Sequence, residues 1–192
     1  QMMKEHNRKD LYDKYMELSR NYRNYFDPET KLMRGRLSDG SWITPFDPAS
    51  VQRPSNYVEG NAWQWAWFVP QDVEGLMELV GGQKSFEAHL DTLFTTSSEL
   101  TGDPNAAADV TGMIGQYAHG NEPSHHIPYL YNYAGAPRKT QALVDHILRT
   151  LYHNDPNGLS GNEDVGQMSA WYALSAMGFY SFCPGRPVYE IG

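Results

Sequence analysis

Apolar residues return at the three-and-four spacing of an α-helix along almost the whole chain, and the links between those stretches alternate between short and long. Leu11, Tyr15, Leu18, Tyr22 and Tyr25 mark a first helix over residues 10–25, ended by Asp27 and Pro28. The pattern resumes in NAWQWAWF, DVEGLMELVGG, SFEAHLDTLFTT, HHIPYLYNYAG, RKTQALVDHILRTLY and VGQMSAWYALSAMGFY. Gly81, Gly82, Gly135 and Gly178 stand where helix C-caps belong, and Pro70 and Pro137 separate segments. Residues 27–54, studded with Pro, Gly, Asp and Ser, read as a long irregular connection with a short hairpin, and only the tail SFCPGRPVYEIG reads as extended.

Short links such as GGQK and GAP, facing long ones rich in Gly, Asn, Asp and His, describe stacked helical hairpins whose chemistry gathers on the long-loop side. No repeat of fixed length favours a regular solenoid, so the hairpins would close into a ring. A ring of six hairpins takes about twelve helices with their loops. Read as a single segment, residues 1–192 are therefore expected to form an all-α fold. It would make about half of an (α/α)6 toroid, with a short extended C-terminal tail.

Composition narrows the partners. The formal charge of −8 and the lack of any Lys/Arg run longer than two argue against a nucleic-acid backbone. No apolar run reaches the roughly 18 residues that span a bilayer. Cys183 stands alone, which excludes an internal disulfide and a cysteine metal cage. Aromatics make up 13% of the chain, and Tyr and Trp outnumber Phe, so much of that surface carries a polar handle suited to hydroxyl-rich ligands.

Three polar clusters precede apolar helices: YVEGNAWQW around Glu59, GQYAHGNEPSHH around Glu122, and GLSGNEDVGQMSAWY around Glu163 and Asp164. Each alone is readily a capping turn, because helix N-termini favour carboxylates. Together they supply what glycoside cleavage needs: one carboxylic acid kept protonated and a second carboxylate kept ionised. Glu59, among Trp63, Trp65 and Trp67, is expected to be desolvated into the acid, and Asp164, beside Asn162, Glu163 and Gln167, into the base. Asn121 and Glu122 offer oxygen ligands to a hard cation such as Ca²⁺. A zinc site using two of His119, His125 and His126 is the weaker alternative; sugar-hydroxyl binding or packing suits those histidines better. Arg34, Arg36 and Asp39 read as a solvated loop that Trp42 and Phe46 anchor.

The motifs NYFDPETKLMRGR, YVEGNAWQW, VPQDVEGLMELVGG, DVTGMIGQYAHGNEPSHHIPYLYNYAG and GLSGNEDVGQMSAWYALSAMGFYSFCPG closely resemble glycoside hydrolase family 92 exo-α-mannosidases over nearly the whole chain. The resemblance implies an N-terminal β-sandwich, absent here together with the early toroid helices. It also implies Ca²⁺-dependent hydrolysis, with inversion, of terminal α-mannosides in mannose-containing glycans such as N-glycans, α-1,2 linkages being the commonest expectation. By the same resemblance the enzyme is secreted, periplasmic or at the cell surface. Glu59 would be the general acid and Asp164 the base, with Asn162 standing where some members carry an acid. Asn121, Glu122 and Gln64 would hold the cation, and Trp63, His125, His126, Asn162 and Glu163 would meet the sugar. An inverting pair leaves room for water, placing the two carboxyls roughly 6.5–9.5 Å apart. The competing readings are a six-hairpin glycosidase for another sugar and a non-catalytic carbohydrate-binding helical domain.

Overall fold

A computed structural model describes residues 2–52, 55–103, 105 and 108–192. Arg53 and Pro54, the end of the expected irregular connection, lie outside the described residues. Helices dominate: α1 (Met2–Glu5), α2 (Lys9–Leu18), α3 (Ala62–Trp65), α4 (Val73–Val80), α5 (Gln83–Thr95), α6 (Leu130–Tyr133), α7 (Pro137–Thr150) and α8 (Gln167–Ala176). The strands are two residues each and pair locally and antiparallel: β1 (Phe26–Asp27) with β2 (Leu32–Met33), β3 (Met113–Ile114) with β4 (Tyr117–Ala118), and β5 (Phe179–Tyr180) with β6 (Glu190–Ile191).

The hairpin of α4 and α5 shows how sequence becomes packing. Asp72 caps α4 by accepting from the Gly75 N–H at 3.1 Å, and Gly81 closes it at φ 109°, a left-handed value that glycine takes without a Cβ penalty. Gly82, at φ 88°, turns the chain straight into α5. Val73, Leu76 and Val80 on one helix and Phe86, Leu90 and Leu93 on the other then face a common core. Each such side chain stabilises the fold by about 1.5–3 kcal/mol through water exclusion. On α7, Thr140, Val144 and Ile147 make one buried stripe, and Pro137 falls inside the first turn, where its missing N–H costs nothing. Trp67 and Trp171 fill the centre, each 1% exposed or less.

Three segments depart from the expected helices. The first breaks after Leu18 and resumes as one 3₁₀ turn, Asn21–Asn24; α2 has no fully buried residue, and Tyr15, Met16 and Leu18 stand exposed. NAWQWAWF forms a single turn, α3, because its aromatics are drawn to different sides (below). HHIPYLYNYAG is split into a 3₁₀ turn at Ile127–Tyr129 and the one-turn α6; Pro128 supplies no N–H to a continuous ladder.

Candidate active site

The first carboxylate loop is built around the start of α3. Asn61 caps the helix, accepting from the Trp63 N–H at 3.0 Å, while Gln64 Oε1 accepts from the Asn61 N–H at 2.7 Å, a reciprocal capping box. The turn before it is clamped at two carbonyls: Trp65 Nε1 donates to Val58 O at 2.7 Å, and Asn121 Nδ2 donates to Glu59 O at 2.6 Å. Glu59 sits between the clamps at φ 53°, a left-handed backbone uncommon for any residue but glycine, and its side chain is exposed. Strain of this kind, of order 1 kcal/mol, persists only where surrounding bonds enforce it.

The expected aromatic cage around Glu59 is not formed. Trp67 is buried against Phe86 and His89, Trp63 leans on His89 at 5.9 Å, and Trp65 meets the edge of Phe68 at 5.4 Å. The cap at Asn61 fixes the helix so that two indoles serve the core and the third ties down the loop. Trp63 is half-buried and packs one side of its ring against the core. Gln64 serves the framework through both amide atoms, its Oε1 accepting from the Asn61 N–H and its Nε2 donating to Gln116 O at 2.5 Å.

Glu122 holds the desolvated carboxyl. It opens the 3₁₀ turn Glu122–Ser124, and its Oε1 is buried with no protein partner. Burial raises its proton affinity first, and the neighbouring carboxylates of Asp164 and Glu59 add to the rise. Asp164 and Glu59, from the other two clusters, are each near enough to Glu122 for their charges to act on it.

Asp164 reaches that site from a second left-handed turn. Asp164 (φ 51°), the fully exposed Val165 (φ 56°) and Gly166 (φ 95°) run consecutively left-handed, a severe outlier for a β-branched valine, just before α8. Glu163 anchors the turn from below: its carboxylate accepts from the N–H groups of Gly166 at 2.5 Å and Ser169 at 3.3 Å, and the bonds to Ser169 and Gly166 hold its pKa below the usual range. Glu163 is accordingly a helix cap. Asn162, exposed, donates to Asp109 Oδ1 at 3.3 Å.

The histidines lie behind the carboxylates as framework. His125 Nε2 donates to His119 O at 2.9 Å, leaving Nδ1 to accept from Gln167 Nε2 at 3.0 Å. His126 Nε2 donates to Trp67 O at 2.7 Å, and His119 lies between the hydroxyls of Tyr117 and Tyr152, each at 2.7 Å. Burial pushes their pKa values down to about 3 for His119 and about 4 for His125 and His126. His125 has no ring nitrogen left for a sugar or for zinc, and among the described residues no cluster of three His, Cys, Asp or Glu side chains has metal-binding geometry. Gln116 and Phe68 were not legible as site-building residues; a neutral amide and a last aromatic in a run of aromatics carry no spacing that marks them.

Carboxylates converging from loops at helix ends, beside exposed aromatics and over a buried polar framework, make the kind of site that glycoside hydrolases use. The chain belongs to glycosyl hydrolase family 92: the family's catalytic-domain profile matches residues 1–192. A family 92 α-mannosidase from Bacteroides thetaiotaomicron, solved with mannoimidazole, is 44% identical, with a TM-score of 0.90 over 99% of this chain and 25% of its own. An inverting family 92 mannosidase from the same organism is 37% identical, with a TM-score of 0.80 over 99% of this chain and 26% of its own. An uncharacterized secreted glycosidase of Arthroderma benhamiae is 26% identical over 94% of this chain and 24% of its own. The chain spans about a quarter of the length of these relatives.

Proposed function

We propose that this chain is the C-terminal part of the catalytic toroid of an exported, inverting, Ca²⁺-dependent exo-α-mannosidase acting on mannose-containing glycans. The rest of the (α/α)6 ring and an N-terminal β-sandwich would come from the same polypeptide. The observation that supports the reading is the buried Glu122 carboxyl with Asp164 and Glu59 near enough to act on its charge, with the resemblance to two mannosidases setting the sugar.

Glu59, exposed on its clamped turn, donates a proton to the glycosidic oxygen as the bond from the anomeric carbon breaks. Asp164 takes a proton from water as that water's oxygen bonds the anomeric carbon from the opposite face. The clamps at Val58 O and Glu59 O and the Glu163 cap hold the two carboxyls in place before substrate arrives. The oxygen donors fit a hard cation: Glu122 Oε1 is buried without a protein partner, and Asn121 stands next to it. Glu122 and Asn121 would hold Ca²⁺, which when bound supplies positive charge and coordination for sugar hydroxyls. Gln64 Oε1, which accepts one bond from the Asn61 N–H and keeps a second lone pair, is the third candidate ligand. For α-1,2 linkages the support is the family resemblance alone.

Exhaustive chelation of the full-length polypeptide should abolish hydrolysis of α-mannosides, and Ca²⁺ should restore it better than Zn²⁺. Full turnover after chelation would overturn the metal assignment while leaving the carboxylate pair standing.

A further inference from the structure

Glu59 is exposed, as is Val58 before it, yet its backbone stays left-handed at φ 53°. An unheld glutamate on a surface loop would relax to the ordinary negative φ range. What prevents this lies on either side of the residue. The peptide group joining Val58 to Glu59 is one rigid plane, the group joining Glu59 to Gly60 is the next, and the only soft rotations between them are φ and ψ of Glu59. Trp65 Nε1 holds the first plane through Val58 O at 2.7 Å, and Asn121 Nδ2 holds the second through Glu59 O at 2.6 Å. Fixing both planes fixes both angles, and with them the direction in which the Glu59 side chain leaves the backbone.

Trp65 is well placed to be the fixed point. Its own N–H closes the turn of α3 on Asn61 O at 3.2 Å, and its ring meets the edge of Phe68 at 5.4 Å. Phe68 in turn stands edge-on to the buried His126, 5.7 Å away, whose Nε2 is spent on Trp67 O. Gly60 lets the indole lie against the turn: a Cβ there would come within 3.2 Å of Trp65 Nε1 and 3.3 Å of its Cδ1. Upstream, Tyr57 ties the loop to β2 by donating to Met33 O at 2.6 Å, so only Val58 and Glu59 stand out between that anchor and the buried Gly60.

We infer that Trp65 is a positioning residue for proton donation: through Val58 O, its indole N–H sets the backbone angle that aims Glu59 at the departing oxygen. This rests on Glu59 being the acid. Without the indole N–H the left-handed conformer becomes a minority, roughly one molecule in ten, given the penalty that conformation carries for an L-residue.

The test uses the full-length polypeptide with Ca²⁺ and the variant Trp65→Phe, which keeps an aromatic ring toward Phe68 and removes the N–H. On an α-mannobiose, whose departing oxygen needs a proton, kcat should fall about tenfold with KM within about twofold of wild type; on an activated aryl α-mannoside, kcat should stay within about twofold. The ratio of the two rates does not depend on how much of the variant folds. Added to Glu59→Gln, Trp65→Phe should cause no further loss on the mannobiose, because no acid is left to aim. Equal losses on both substrates, or the same loss in the Glu59→Gln background, would make Trp65 a support of the fold alone. No loss on the mannobiose would mean that the other contacts hold Glu59 without it. Either result overturns the inference and leaves Glu59 as the acid. If Glu59→Gln itself loses equally on both substrates, the acid reading falls and the inference falls with it.

Discussion

Glu59 and Glu122 exchange the properties that the sequence suggests for them. Three tryptophans within eight residues of Glu59 promise an apolar cage, but the cap at Asn61 sends those rings into the core or onto the loop, leaving Glu59 exposed. Glu122, flanked by Asn, Pro and Ser, looks polar in sequence and is the carboxyl that burial raises. Which side of a turn faces solvent is decided by distant partners, so no local pattern records it. The histidines give this framework a pH dependence of definite sign. His125 and His126 are lowered from 6.5 to about 4 by burial, so the native state binds fewer protons than the unfolded state between those values. Stability is full above pH 6.5 and falls as pH drops toward 4, by about 1 kcal/mol per histidine for each pH unit. His126→Gln, which keeps a donor toward Trp67 O, should flatten that slope in thermal unfolding at pH 7.5, 6.5 and 5.5. An unchanged slope would remove His126 from the account.

At the scale of elements, the loops set the site. The turn after β4 and the loop before α8 touch backbone to backbone: a Cβ on Gly161 would lie 2.8 Å from Gly120 O, and one on Gly120 would lie 3.0 Å from Ser160 O and collide with Thr111 Oγ1. This close approach brings the loops that carry Glu122 and Asp164 together, so that Asp164 acts on the charge of Glu122. Gly120→Ala should destabilise the protein by about 1–3 kcal/mol and, by parting the loops, lower kcat. Gly82→Ala, in open space but at φ 88° and ψ 177°, backbone nearly confined to glycine, should cost about 1–3 kcal/mol and leave kcat unchanged. Denaturant unfolding and steady-state kinetics check both variants; a normal kcat for Gly120→Ala would break the link. The helical hairpins, their glycine caps and the three polar clusters were readable because period, capping and turn chemistry are local. The short α3 and the Gly120–Gly161 contact were not, since both depend on contacts between segments distant in sequence.

For the whole molecule, the clearest feature is what remains uncovered. The sequence of α8, QMSAWYALSA, is apolar on every side, yet only Met168, Trp171 and Ser175 are buried, while Tyr172 is 43% and the following Met177 62% exposed. A helix apolar all round belongs inside a larger domain, and the relatives are about four times as long. In the full-length polypeptide Ala173→Glu, on that outer side, should cost about 2 kcal/mol or more by burying an unpaired charge. Unfolding with no change would show the face to be solvated. Catalysis, as proposed, belongs to this larger assembly, with the acid and base of its site on loops more than a hundred residues apart in sequence. The most direct test of that site is the response of its two carboxyls to the leaving group, measured in the full-length polypeptide with an α-mannobiose and an activated aryl α-mannoside. Glu59→Gln should lose two orders of magnitude or more on the mannobiose and far less on the aryl mannoside, which departs without protonation, whereas Asp164→Asn should lose about two orders on both. Equal losses on both substrates for Glu59→Gln would show that Glu59 is not the acid.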